Sequence, residues 1–325
     1  MKRRVLVLGG SGFLGSHVCE HLHRLGWHIT VPTRQHARGK HLLSLPSVYL
    51  TEANVMEPGV LARLLPGHDA VINLIAILHG NEKSFAQVHV EWPRQLAKAC
   101  AHAGVRRLVH VSALGADASG PSRYQRNKAA GEAVLRQAAQ AAGAGALDLT
   151  ILRPSVIFGH EDRFMNVFAR LQKVFPVVPL AGADAKLQPV WVRDVARALA
   201  RTLHDDQTIG QTYEACGPDV YTLGELVRLA GCWAGVRGGE GRPVLHVPMG
   251  VGKLQAGLME LVSSRPLMSR DNLDSLKVAN VASGNLPGIE TLGVNPASLS
   301  GVAPLYLGQA GIAARLNDMR RRAGR

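Results

Sequence analysis

Aromatic residues are scarce in this 325-residue chain, phenylalanine, tyrosine and tryptophan together making up 5% of it. No basic stretch is interleaved with them, so there is no platform on which bases could stack, and nucleic-acid binding is not expected. Cysteine is scarce as well. Cys19, Cys100, Cys216 and Cys232 are the four; none pairs as Cys-x-x-Cys, and each sits inside a helical or strand pattern. Reduced, mostly buried thiols are expected, with no disulfide and no metal. No apolar run is long enough to span a bilayer. Met1-Lys2-Arg3-Arg4 leads straight into an apolar run, from which a cytoplasmic protein without a signal peptide is expected. Acidic residues are the last shortage: 24 face 37 lysines and arginines, for a formal charge of +13. Such a charge attracts anionic membranes, acidic proteins or cofactor phosphates, although a solvated basic surface is the plainer reading. Its densest part, residues 315–325, reads as a frayed end or a docking tail.

With 46% apolar residues, the chain can bury one large α/β core and a smaller lobe. Its start is the most informative stretch. Val5 to Leu8 is a short apolar run that breaks into Gly9-Gly10-Ser11-Gly12-Phe13-Leu14-Gly15 and then into a helical pattern. Gly9, Gly12 and Gly15 satisfy one dinucleotide-turn spacing, and Gly10, Gly12 and Gly15 the other. One glycine serves the turn, one the close approach of backbone N–H groups to a pyrophosphate, one the packing of helix on strand. The helix N-terminus adds partial positive charge. His17 and His21 stand one turn apart on the far face of this helix, where nothing completes a ligand set for a metal.

Further along, strands are expected at 28–31, closing at Pro32, then at 48–50, 70–77, 107–111 and 149–152. Helices are expected at 58–65, 85–103 and 124–142, with a helix end and loop in the Ala/Gly stretch 138–146. The alternation predicts a doubly wound parallel sheet of the Rossmann type with a smaller C-terminal lobe. The nucleotide-binding domain is expected over 1–158 and the lobe over 159–325, with 188–216, including a helix at 194–203, returning to the main sheet. The apolar stretch 244–262, broken by Pro248, Gly250, Gly252 and Gly257, reads as lobe core in preference to a shallow membrane-facing surface.

Tyr124 and Lys128 stand at i and i+4, one turn apart on one helix face. An ammonium beside a phenol stabilises the phenolate, so Tyr124 is the candidate acid and base in hydride chemistry. The end of the second strand carries Thr33, where NAD-specific sites place an acid. No carboxylate occurs between Glu20 and Glu52, and Arg34 and Arg38 follow. A guanidinium can hold a 2′-phosphate bidentately. NADP(H) is therefore expected ahead of NAD(H).

The glycine turn, Asn73-Leu74-Ile75-Ala76, Val111-Ser112-Ala113, Tyr124-x-x-x-Lys128 and Arg153-Pro154 resemble the short-chain dehydrogenase/reductases, in their extended, epimerase-like branch. More narrowly, Ser122 to Lys128, Ile157 to Phe164, Gln188-Pro189-Val190 and Leu286-Pro287-Gly288 are similar to the Rossmann-type accessory subunits of respiratory complex I and their bacterial relatives. A related branch is associated with ubiquinone synthesis. The resemblance implies cofactor contacts at Asn54, Val55, Leu74, Ile75, Ala76, Val111, Lys128 and Pro154, with Lys128 on the nicotinamide ribose. It implies catalytic roles for Tyr124, Lys128 and Ser112. Two positions depart from the pattern: Leu114 stands where epimerases often carry the assisting Ser or Thr, and His89 where these enzymes frequently have Asn. The accessory subunits are regarded as nucleotide-binding and structural. A cofactor-stabilised accessory protein is thus expected, partnered by respiratory-complex or quinone-synthesis proteins at the cytoplasmic face of the inner membrane. The membrane contact would be peripheral. The alternative is an active NADP-dependent oxidoreductase or epimerase acting on a small hydroxyl or carbonyl compound.

Overall fold

The computed structural model describes residues 3–141, 146–262 and 268–308; the basic end at 315–325 and part of the Ala/Gly stretch lie outside them. In chain order the elements are β1 (Arg4–Leu8), α1 (Phe13–Arg24), β2 (His28–Thr33), β3 (Val48–Glu52), α2 (Val60–Leu64), β4 (Ala70–Asn73), α3 (Glu82–Ala86), α4 (Trp92–Ala103), β5 (Arg107–Val111), α5 (Arg123–Ala139) and β6 (Asp148–Pro154). They are followed by β7 (Ile157–Phe158), α6 (Met165–Val174), β8 (Val178–Ala181), β9 (Lys186–Leu187), β10 (Val190–Trp191), α7 (Val192–Thr202), β11 (Thr212–Ala215), β12 (Tyr221–Thr222), α8 (Leu223–Trp233), β13 (Val244–Val247), α9 (Met249–Val262), α10 (Arg270–Ser275) and α11 (Leu299–Leu307).

These elements form two compact units. The first comprises Met1–Pro154, Arg193–Ala215 and Ser283–Val294. Its seven-stranded sheet runs β11-β6-β5-β4-β1-β2-β3, every pair parallel. Strands covered by helices on both faces read as unbroken apolar runs, and Val5 to Leu8 are completely buried. The order β3-β2-β1-β4-β5-β6 is that of a dinucleotide-binding fold. The core on one side of this sheet joins Leu6, Leu8 and Val71 to Leu61, Trp92 and Leu96.

Several elements differ from the sequence expectation, each for a local reason. Strand β2 runs on through Pro32 to Thr33 because pairing with β1 ends at Thr30 and only β3 accompanies it further, so the missing N–H breaks no ladder bond on the β1 side. Strand β4 stops at Asn73 instead of Ile77, since its partner β1 ends at Leu8 and turns away at Gly9. The helix expected over 85–103 is interrupted by a π-helical turn, Gln87–Glu91. Pro93, in the first turn of α4, has no N–H for the His89 carbonyl four residues back, and its ring crowds that carbonyl. Helix α5 starts at Arg123 because Ser122 and Gln125 form a reciprocal capping box. Of the segment 188–216, β11 joins the main sheet beside β6, whereas β10 pairs with β7.

The second unit comprises Ser155–Val192, Cys216–Ala282 and Asn295–Arg325. Its core gathers Phe158, Met165, Leu180, Leu223, Leu226 and Leu299 among others. The stretch 244–262 is lobe core on one side only. It forms β13 and α9; Val244 packs on the main core of the unit and Val247, Met249 and Ala256 on a smaller one with Ala181 and Leu273, whereas α9 turns Val251, Leu254, Leu258 and Leu261 to solvent. Apolar residues spread round most of the helix give no sequence signal for which face is covered.

Candidate nucleotide site and its surroundings

The glycine turn is shaped by backbone sterics. Gly9 has φ +84°, a left-handed conformation that side chains disfavour. A Cβ at Gly15 would lie 2.3 Å from the Gly9 carbonyl oxygen and 2.5 Å from Gly10 Cα, so only glycine lets α1 pack this closely. At Gly12 a Cβ would meet one atom, the Gly9 oxygen at 3.3 Å, and Gly12 itself is exposed. Gly12 is the N-cap of α1 and no side chain caps that end, which leaves the first N–H groups of the helix to an anion. The loop after β4 borders the turn, Leu74 and Ile75 lying 3.3–3.4 Å from a Cβ built at Gly9. Asn73 fixes this loop, its Oδ1 accepting hydrogen bonds from the Ile75 N–H at 3.3 Å and Trp92 Nε1 at 3.1 Å.

Thr33 is buried, its hydroxyl donating to the Gln35 carbonyl at 3.1 Å, while Arg34 and Arg38 are exposed. Between Glu20 and Glu52 the chain holds no carboxylate, but one stands beside Thr33 across the sheet. Glu52 pairs with Thr33 in the β2–β3 register and accepts the His36 N–H at 3.0 Å. Strand pairing joins residues far apart in the chain, which a scan along the sequence cannot register. Asn54 closes its own turn, accepting the Met56 N–H and donating to Glu57, and Val55 packs on the neighbouring core.

Val111, Ser112, Tyr124 and Lys128 meet where β5 ends beside α5. Lys128 is 2% exposed and donates from Nζ to the Val111 carbonyl at 3.1 Å. Burial lowers its pKa to about 8, with Glu132 opposing the fall. The half-buried Tyr124 ring stands edge-on to Phe85 at 6.3 Å and to His89 at 5.6 Å, with Lys128 Nζ 5.9 Å from its centroid. The expected lowering of the phenol's pKa is not what this environment produces. Burial pushes it up, with the Lys128 ammonium over the ring. Ser112 is 3% exposed and its hydroxyl has no hydrogen-bond partner, which suits a group that completes its bonding with a ligand. Pro154 is buried and its carbonyl accepts the Leu114 N–H at 2.9 Å.

Around Lys128 lie residues that sequence reasoning did not assign to the site. His110, on β5, is wholly buried, and its Nδ1 lies 3.0 Å from Asn73 Nδ2. An amide nitrogen only donates, so Nδ1 accepts and Nε2 carries the proton. Burial and Lys128 hold His110 well below its usual pKa. His89 Nε2 donates to the Ile77 carbonyl at 3.0 Å, and burial followed by Lys128 brings its pKa to about 3. Lys128 is therefore flanked by two neutral imidazoles. Its nearest counter-charge, Glu132, is itself held by Arg153 at 2.7–2.8 Å and Arg136 at 2.9 Å. The signals available were a histidine inside the apolar strand Arg107–Val111 and His89 at a position where the related enzymes frequently have Asn.

These residues fit a nicotinamide nucleotide: an open glycine at an uncapped helix N-terminus, an unpartnered buried hydroxyl and a buried ammonium. Strand order, glycine turn and the Tyr-x-x-x-Lys pair define a Rossmann-type protein of the short-chain dehydrogenase/reductase kind. The chain belongs to the NAD dependent epimerase/dehydratase family, whose model matches residues 5–216. It is 32% identical over 308 residues to the Mus musculus protein NADH dehydrogenase (ubiquinone) 1 alpha subcomplex subunit 9, mitochondrial, covering 90% of this chain and 76% of that one. It is 30% identical over 305 residues to the Neurospora crassa NADH-ubiquinone oxidoreductase 40 kDa subunit, mitochondrial, covering 93% and 78%. Among solved structures, UDP-glucose 4-epimerase from Thermotoga maritima superposes with a TM-score of 0.73 at 18% identity, covering 97% of this chain and 99% of that one. At that identity the likeness is one of fold.

Proposed function

We propose that the protein binds a nicotinamide nucleotide, NADP(H) ahead of NAD(H), and serves as a nucleotide-stabilised accessory protein of a respiratory complex I or quinone-handling assembly at the cytoplasmic face of the inner membrane. The observation that carries the nucleotide is the head of α1, an open glycine at a helix N-terminus that no side chain caps, with the buried Lys128 bonded to the Val111 carbonyl further along the sheet edge. The mouse and Neurospora relatives, both named as NADH dehydrogenase subunits, support the partner class. Arg34 and Arg38 would meet a 2′-phosphate, Gly12 and the start of α1 the pyrophosphate, and Lys128 and Ser112 the ribose hydroxyls next to the nicotinamide.

A second reading, an NADP-dependent oxidoreductase or epimerase, draws on Tyr124, Lys128 and Ser112 all lying at the β5–α5 junction. A bound nicotinamide would supply a hydride carrier; Tyr124 would then donate its proton to a substrate oxygen. Native mass spectrometry of protein from its own cells, with NADPH turnover on ketones, quinones and sugar nucleotides, separates the two. Bound nucleotide with partner subunits and no turnover supports the accessory reading. Turnover abolished by Tyr124→Phe overturns it in favour of the enzyme.

A further inference from the structure

Helix α9 has its large side chains on the outside. A Cβ at Gly252 would come within 2.3 Å of Ala181 Cβ, and Ala256 is fully buried beside Ala181 and Leu273. Small residues thus bring the helix close to β8. On the opposite face Val251, Leu254, Leu258 and Leu261 are 54%, 69%, 59% and 84% exposed. Their spacing of three, four and three residues keeps them on one stripe. Among the described residues of α9 the other fully exposed positions are Gly250 and Gln255, so no charged side chain stands on the stripe itself.

The helix's two charged residues lie at its flanks and are tied to the α10 region. Lys253 bonds Asp274 at 2.9 Å, Lys277 bonds the same carboxylate at 2.7 Å, and Glu260 bonds Arg270 at 2.8 Å. In each pair the cation is the more exposed member: Lys253, Lys277 and Arg270 are 39%, 46% and 62% exposed against 25% for Asp274 and 23% for Glu260. The three cations are thus turned further outward than the two carboxylates that pair them, which leaves these rim residues a net charge of +1, in a chain of formal charge +13. The apolar surface also continues onto the strands. Val177 and Leu245 are 41% and 56% exposed. By strand periodicity Val177, Pro179 and Ala181 share the face on which α9 packs, and Leu245 is in register with Pro179.

We propose that this face of α9 is a membrane-contact surface that lies in the plane of an anionic lipid bilayer, its aliphatic stripe among the acyl chains and Lys253, Arg270 and Lys277 at the headgroups. The inference deepens the peripheral placement proposed above and rests on it for its setting, but not on nucleotide binding. An uncharged aliphatic stripe bordered by ion pairs whose cations face outward matches an apolar interior under an anionic surface. A 14-residue helix is about 21 Å long, short of the roughly 30 Å hydrocarbon core, so it lies flat. A second copy suits the face less well. Two heptads are too few for a coiled coil, and a stable dimer buries about 800 Å² per partner, more than four aliphatic side chains supply.

The test is sedimentation of the full chain with vesicles of phosphatidylcholine mixed with phosphatidylglycerol and, separately, of phosphatidylcholine alone. The protein should bind the mixed vesicles more tightly, and high salt should weaken that binding. Leu254→Ser combined with Leu258→Ser, at exposed positions the fold does not need, should lower the bound-to-free ratio at least tenfold. Leu258→Trp, which keeps apolar area and adds an interface-seeking ring, should bind as well or better, and an unfolding midpoint of the serine variant no lower than that of the unmodified protein shows that its loss is not misfolding. Absence of binding by the unmodified protein, or undiminished binding by the double variant, overturns the proposal. So does a dimer that the double variant converts to monomers, which would assign the face to a second copy. Vesicle binding by protein that takes up no nucleotide in calorimetry leaves this inference standing and removes the nucleotide reading.

Discussion

Lys128→Met should make the protein without nucleotide more stable while removing its ability to gain stability from nucleotide. Methionine keeps the length and apolar stem of lysine but not the charge. A pKa lowered from 10.5 to about 8 means that holding the buried ammonium charged costs about 3 kcal/mol at neutral pH, at about 1.4 kcal/mol per pKa unit. Losing the bond to the Val111 carbonyl returns about 1 kcal/mol of that, so the variant should gain about 2 kcal/mol at pH 7. The sign with pH follows from proton uptake. Between pH 8 and 10.5 the unfolded lysine binds a proton that the folded one does not, so the native protein gains stability as pH rises through that window. The variant lacks this increment, and the two should converge by pH 10. Denaturant titrations of both proteins at pH 7 and pH 10, with and without NADPH, measure the difference. A variant less stable than the native protein at pH 7, with the same gain between pH 7 and 10, would refute the assignment of Lys128 as a strained buried cation. Undiminished protection by NADPH would refute its role in binding.

Gly12→Val and Gly15→Val should fail differently. At Gly12 the first added atom meets one oxygen at 3.3 Å, so that variant should fold yet lose NADPH-dependent thermal protection. At Gly15 it lands 2.3–2.6 Å from backbone, so that variant should lose several kcal/mol of stability, read from its unfolding midpoint; identical behaviour of the pair would contradict the steric roles. Arg34→Ala should weaken NADPH binding roughly tenfold to a hundredfold, the worth of one charge-assisted hydrogen bond, and leave NADH nearly unchanged; equal losses in calorimetry would remove the guanidinium from the 2′-phosphate. Glu132→Gln leaves the Arg153 guanidinium without its bidentate carboxylate and should cost about 3–5 kcal/mol, a prediction that fails if the denaturation midpoint does not move.

The sequence by itself determined what depends on neighbours along the chain. Val5 to Leu8, the spacing of Gly9, Gly12 and Gly15 and the Ser122–Gln125 box act through backbone sterics and hydrogen bonds within a few residues, so a strand, a turn and two helix starts are legible without coordinates. The i, i+4 spacing of Tyr124 and Lys128 is equally local. The alternation of strand and helix patterns then implied a parallel sheet, because strands joined through helices run in one direction. What only the tertiary structure decided is which residues meet across elements. Glu52 stands beside Thr33 because β3 pairs with β2, although nothing along the chain links them. Tyr124 is raised in pKa and Lys128 lowered because Phe85, His89 and His110 arrive from other elements and exclude water, and desolvation is a property of the packed surroundings that no residue spacing encodes. Helix α9 shows the same limit. Its apolar composition left both faces equal candidates for burial, and the close approach of Gly252 and Ala256 to β8, a matter of volume between packed elements, turned the leucines outward.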